Sequence, residues 1–255
     1  MFPLRDDNPT ELTPFITIAL IALNVIGWFV IQGMGVGNAF VGSICQYGAI
    51  PGEITGAIAP GTPVDVGPGL SCRVGGLRWE TALTSMFLHT GWMHLIGNMW
   101  FLWVFGNNIE DSMGHLRFIV FYGLCGVVAV AVHVLTDPGS TVPVVGASGA
   151  ISGIMGAYLL LYPRVRIHTL FIIIIVIRVI PVAAWVMLGY WFLLQLASGA
   201  ATLGATGGGV AFWAHVGGFV AGLALIKPFE RRPLVEAKLA GRRLSREEVR
   251  ELGWF

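Results

Sequence analysis

Long apolar runs, rather than the short alternations of a sheet protein, set the pattern of this chain. Six of them, 14–32, 88–105, 116–135, 148–162, 182–197 and 209–226, approach the ~20 residues a helix needs to cross a bilayer. Each predicts a membrane span. A further apolar stretch, 169–180, would give a run of about 29 residues if joined to the fifth span, too long for one helix across ~30 Å of hydrocarbon. Arg178 and Pro181 punctuate it, so it is expected to be an interfacial lead-in; a seventh span is the alternative. The expected fold class is all-α: a six-transmembrane-helix bundle with a short C-terminal tail. The acidic start, 1–13, lacks a basic region followed by a cleavage site, so the first span is expected to be an anchor rather than a removable signal peptide.

Composition agrees with the pattern. Apolar residues are 55% of the 255 and the 35 glycines raise this to nearly 70%, against roughly 45–50% on the same basis in soluble domains. Charged residues are 11% where a soluble protein has about 25%. A net charge of +1 and three cysteines exclude a nucleic-acid binder working through a basic field and a disulfide-dense secreted module. Of the 29 formal charges, 13 fall in the last 29 residues. The expected plan is therefore a cytoplasmic segment 1–13, a membrane domain 14–226 and a charged cytoplasmic tail 227–255. Positions Leu239, Leu244, Val249 and Leu252, with Ser245 and Glu248 in capping-box spacing, suggest a surface helix in that tail.

Lys and Arg set the orientation. With six spans, Arg5, Arg164, Arg166, Arg178 and the eight basic residues of the tail share one side, and Arg73 and Arg78 take the other. Both termini are thus expected in the cytoplasm. The outer face receives the loops 33–87, 136–147 and 198–208. Cys45 and Cys72 share the first of these; they form a disulfide if that face is oxidising, or remain thiols. Cys125 reads as a small apolar residue within a span.

Polar side chains inside apolar spans are costly and are functional candidates. Ser148 opens the fourth span in Gly146-Ala147-Ser148-Gly149. A serine there can simply cap a helix, and Gly149, Gly153 and Gly156 can simply allow close packing. That span, however, is 15 residues, about 22 Å of helix, too short to cross. It should start within the protein, with 142–145 descending through protein rather than lipid, and hold Ser148 at a helix N-terminus. His215 follows in the sixth span, beside a Gly218/Gly222 small-residue step. His94 and Asn98 share one face of the second span by i, i+4 spacing; His89, before them, is expected to give structural support. Spans two, four and six all start at the outer face, so His94, Ser148 and His215 meet at similar depth. A serine, an imidazole and extra donors are the parts of nucleophilic acyl transfer. With no carboxylate in these spans, a Ser-His dyad is the natural arrangement.

With these residues assembled, the chain resembles the rhomboid family of intramembrane serine proteases. The carriers are the H-x-x-x-N element in His89-Thr90-Gly91-Trp92-Met93-His94-Leu95-Ile96-Gly97-Asn98, the G-x-S-G element Gly146–Gly149, and the A-H-x-x-G element Ala214-His215-Val216-Gly217-Gly218, in order on alternate spans. The resemblance implies Ser148 as nucleophile and His215 as general base and acid. It implies an oxyanion hole from His94, Asn98 and the Ser148 backbone N–H, with His89, Gly146, Gly149, Gly218 and Gly222 as structural support. It further implies no metal or organic cofactor, a bacterial-type inner membrane, and substrates that are other membrane proteins cut within or beside a transmembrane segment, with an entrance between the second and fifth spans. A pseudoprotease that binds such clients without cleaving them is the alternative. Two positions depart from the pattern. A Trp-Arg pair nine residues before His89 is replaced by Glu80 and Thr81, with Arg78-Trp79 shifted earlier. Ser152 stands where an aromatic residue one turn after the serine packs on the histidine in some members. The loop 198–208, with Gly207-Gly208-Gly209, is a candidate lid.

Overall fold

In a computed structural model the described residues are 1–67, 70–173, 176–202, 210–242 and 247–248. In chain order the elements are β1 (Phe2–Asp6), α1 (Phe15–Ile26, continued by a π turn over Gly27–Ile31), α2 (Gly37–Tyr47), α3 (Pro51–Thr55), β2 (Pro63–Gly67), β3 (Leu70–Arg73), α4 (Thr81–Thr84), α5 (Trp92–Met113), α6 (His115–Thr136), α7 (Ser148–Leu161), β4 (Arg166–Ile173), β5 (Val176–Ala183), α8 (Ala184–Ala201), α9 (Phe212–Phe229) and α10 (Arg232–Leu239). Helices α6, α8 and α9 are long and apolar enough to cross a membrane, and α1 and α7 are shorter apolar helices.

Helix α7 is the axis of the bundle. All of Gly149–Tyr158 is buried, with α5, α6, α8 and α9 packed around it. Burial on every side explains how 14 residues suffice: the ends of α7 stop inside protein, where other chain segments satisfy them. The descent into α7 is held in this way. Val144 and Ala49 exchange backbone hydrogen bonds of 2.7 and 3.1 Å, and Gly146 N–H donates to Ser85 O at 2.9 Å.

Small residues let the helices approach. A Cβ on Gly218 would lie 2.0 Å from Gly149 O, and one on Gly222 only 1.9 Å from Gly153 O. Helices α7 and α9 therefore touch backbone to backbone along that seam.

Three expectations need correction. The stretch 169–180, expected as an interfacial lead-in with a seventh span as the alternative, forms no helix among its described residues. It belongs to a β4–β5 hairpin, paired Arg166↔Ala183 through Ile173↔Val176, and β1 adds antiparallel to β4. Its β-branched residues suit a strand as well as a span, and apolar runs alone do not separate the two. The second helix starts at Trp92 rather than 88 and runs past 105 to Met113. It carries Glu110 and Asp111 inward because both carboxylates find donors. Glu110 accepts from Ile16 N–H (2.9 Å), Thr17 N–H (2.8 Å) and Thr17 Oγ1 (2.7 Å), occupying the free N-terminus of α1. Asp111 accepts from Leu12 N–H at 2.8 Å. Third, the tail helix begins at Arg232 and buries Leu234, Val235 and Ala237, leaving Leu239 exposed; Leu244, Ser245, Val249 and Leu252 lie outside the described residues.

The outer loop 33–87 has its own order. Cys45 and Cys72 form a disulfide, Cα–Cα 5.9 Å, joining α2 to β3. Arg78 donates to the carbonyls of Cys45 and Gln46 at the end of α2. The displaced Arg78-Trp79 pair thus anchors this loop through the arginine. Of the candidate lid, Ser198–Ala201 is the last turn of α8, and 203–209 lie outside the described residues.

Candidate active site

Three helix N-termini converge. Ser148 is the first residue of α7, His215 the fourth of α9 and His94 the third of α5. Ser148 does not cap its helix: α7 has no side-chain cap. Its Oγ instead lies 2.8 Å from His215 Nε2. The earliest backbone bond into α7 runs from Ile151 N–H to Ala147 O at 3.0 Å, so first-turn N–H groups, that of Ser148 included, have no intrahelical acceptor.

His94 and Asn98 lie beside Gly146, two residues before the serine. Thr90 N–H and Thr90 Oγ1 reach His94 Nδ1 at 3.3 and 3.0 Å. A backbone N–H can only donate, so His94 Nδ1 accepts and the ring proton sits on Nε2. That Nε2–H faces Gly146, where a Cβ would stand 2.7 Å from it and 3.5 Å from Asn98 Nδ2. Gly146 has φ +121°, so glycine is required there for both conformation and space. Asn98 Nδ2 is buried with no protein partner, a donor waiting for an acceptor. His89 lies outside α5 and is fully buried; its ring stacks edge-on to His94 at 5.1 Å. The Gln32 side chain clamps the His89 backbone by two bonds, 2.8 Å to its O and 2.7 Å from its N.

The histidine has further partners, and both come from α8. Gln195 Oε1 is 2.7 Å from His215 Nδ1, and the Trp191 ring packs on the imidazole at 5.9 Å. Trp191 stands in for the absent aromatic one turn after Ser148; Ser152 there turns back to Ser148 O at 2.6 Å. Sequence reading singled out neither, although Gln195 is a polar side chain in an otherwise apolar helix, the signal that drew attention to His215. A small cavity opens beside Ser148, lined by Met86, Gly126, Ala129, Val130, Val144 and Ala211 among others.

This arrangement can do one kind of chemistry well: an activated hydroxyl attacks an acyl carbon while donors opposite it hold the oxygen that becomes charged. Over residues 77–232 the chain matches the family model described as Rhomboid domain. The chain belongs to the rhomboid family. It is 37% identical over 84 residues to RHOMBOID-like protein 5 of Arabidopsis thaliana, covering 33% of this chain and 27% of that one. It is 29% identical over 167 residues to the mitochondrial Rhomboid protein 1 of Saccharomyces cerevisiae, covering 62% and 45%. Against Rhomboid protease GluP of Bacillus subtilis, identity is 27% over 215 residues, 84% of this chain and 36% of that protein. This rhomboid spans less than half the length of these curated relatives. It is an integral membrane protein with protease-named relatives.

Proposed function

We propose that this rhomboid is an intramembrane serine endopeptidase that hydrolyses peptide bonds in or next to transmembrane segments of other membrane proteins. The observation that carries the proposal is the 2.8 Å contact between Ser148 Oγ and His215 Nε2, with His94 Nε2 and the unpartnered Asn98 Nδ2 beside Gly146, two residues before the serine. Ser148 Oγ attacks the scissile carbonyl carbon as its proton passes to His215 Nε2. The carbonyl oxygen takes the negative charge and is held by His94 Nε2–H, Asn98 Nδ2 and the Ser148 N–H. His215 returns the proton to the leaving amine nitrogen as the C–N bond breaks. Water, deprotonated by His215, then attacks the acyl-enzyme, and the serine regains its proton from the imidazolium.

Its setting follows from charge and redox chemistry. We place six spans across a bacterial inner membrane within 14–226, with 1–13 and the tail 227–255 in the cytoplasm and the site open to the outer face. The excess of Lys and Arg at 164–178 and in the tail supports that orientation. So does the Cys45–Cys72 disulfide, which persists on an oxidising face. The substrate entrance is between α5 and α8.

The test is labelling of the purified protein with a fluorophosphonate, followed by cleavage of a model transmembrane substrate. Wild type should label and cleave; Ser148→Ala and His215→Ala should do neither while keeping the wild-type thermal midpoint. A folded wild type that neither labels nor cleaves would overturn the reading in favour of a client-binding pseudoprotease.

A further inference from the structure

Helix α8 holds His215 by a contact that acyl-transfer chemistry as outlined does not use. Gln195 Oε1 meets Nδ1 at 2.7 Å, while Ser148 Oγ meets Nε2 at 2.8 Å. A neutral imidazole carries one N–H. For Nε2 to accept the serine proton its lone pair must be free, so the N–H must sit on Nδ1, and the group facing Nδ1 must be an acceptor. An amide oxygen is such a group. Among the described residues no carboxylate bonds to His215. Its ionisable neighbours besides Ser148 are His94 on α5 and His133 on α6, and neither is an anion. A polar amide midway along an apolar helix is expensive unless bonded, and its bond here is to the imidazole.

We propose that Gln195 is a positioning residue of this site, fixing the Nδ1–H tautomer and the ring orientation of His215. The inference rests on the serine-protease reading for its kinetic consequences but not for the tautomer itself. Gln195 gains and loses no proton in the cycle. When His215 takes the serine proton, its Nδ1–H to Oε1 bond becomes charge-assisted, which stabilises the imidazolium without burying an anion in an apolar wall. A neutral acceptor also leaves the imidazole free of the pKa rise that an adjacent carboxylate would impose.

Two variants test this in the full-length protein in detergent. Gln195→Leu removes the acceptor; Gln195→Glu keeps it and adds charge. With a model transmembrane substrate, Gln195→Leu should lower kcat at least tenfold and by no more than the ~10²–10⁴ that a positioned base contributes in full, with KM little changed. Gln195→Glu should retain activity at alkaline pH while the acid limb of its kcat profile moves up by about one unit or more. Independently of cleavage, ¹⁵N spectra of histidine-labelled protein, with His215 assigned by its loss in His215→Ala, should show Nδ1–H in wild type and a shift toward Nε2–H in Gln195→Leu. Wild-type kcat and an unchanged tautomer in Gln195→Leu, or an unmoved acid limb in Gln195→Glu, would overturn the proposal. Cleavage by Ser148→Ala at the wild-type rate would instead sink Ser148 as the nucleophile and with it the serine-protease reading, leaving the tautomer result to decide Gln195.

Discussion

A buried hydrogen-bonding atom without a partner costs about 1–3 kcal/mol, and such atoms cluster around His94. Asn98 Nδ2 and both ring nitrogens of His89 have none. Asn98 is the informative one, because its amide faces the space next to Gly146. If it waits for a developing oxyanion, removing it costs rate and not stability. Asn98→Ala should lower kcat by roughly 10²–10³ without lowering the thermal midpoint, and a fall in both together would mark it as a packing residue. Gly146→Ala separates space from charge at the same place. The added methyl would stand 2.7 Å from His94 Nε2 on a backbone of positive φ, so cleavage should be lost even though every titrating group remains. Fluorophosphonate labelling at wild-type rate in Gly146→Ala would refute that crowding. At this scale the sequence points to the polar groups that the fold brings together and not to the groups that hold them. Ser148, His94, Asn98 and His215 stand out as polar positions in apolar spans. Gln195 obeys the same rule, but a lone glutamine names no reaction until its partner is known.

Between elements, stability and the proposed catalysis share one seam. Ser148 rides on α7 and His215 on α9, and these helices meet where Gly218 faces Gly149 O and Gly222 faces Gly153 O. A methyl at Gly222, 1.9 Å from that carbonyl, has nowhere to go, and overpacking of this kind typically costs 1–3 kcal/mol or more. Gly222→Ala should therefore lower the thermal midpoint and cleavage together. Gly123→Ala on α6, with nothing within 4 Å of the new methyl, should be neutral or stabilising by up to about 1 kcal/mol. Equal midpoints in the two variants would remove the seam from the account. The small-residue step at Gly218 and Gly222 was legible because close helix approach leaves a periodic trace. The β4–β5 hairpin was not, since Ile and Val serve strand and membrane helix alike and strand pairing with β1 is a contact some 160 residues away in sequence. The inward extension of α5 was hidden for a similar reason. Glu110 lies beyond the second apolar run, and the donors that let it turn inward come from the N-terminus of α1, nearly a hundred positions earlier.

Across the whole molecule, the end of the bundle opposite Ser148 and His215 is pinned by a polar junction. Asp6 of β1 accepts from Tyr158 OH of α7 at 2.5 Å and from Asn108 Nδ2 of α5 at 2.8 Å. Lys238 of α10 donates to Asn108 Oδ1 and to Asp111 Oδ2, both at 2.7 Å. The N-terminal strand, the α5 and α7 helices that carry His94 and Ser148, and the tail helix thus meet at one knot. Removing one member of a buried pair such as Lys238–Asp111, with side chains 8% and 3% exposed, costs about 3–5 kcal/mol, so Lys238→Met should loosen the tail and lower the thermal midpoint. Asp6 gives the knot a pH dependence. Burial pushes its carboxyl up to about 6, against the opposing pull of Tyr158 and Lys238. Between its ordinary value of 3.8 and about 6, the folded state holds more proton than the unfolded one. The contribution of Asp6 to stability is therefore full below that window, falls as pH rises through it, and is level above it. Asp6→Asn cannot titrate. Its thermal midpoint should gain on that of wild type as pH is raised from about 4 to about 7 and then run parallel to it, whatever the offset caused by the lost charge. A difference that stays constant across the whole range would mean that the knot does not bury this carboxyl.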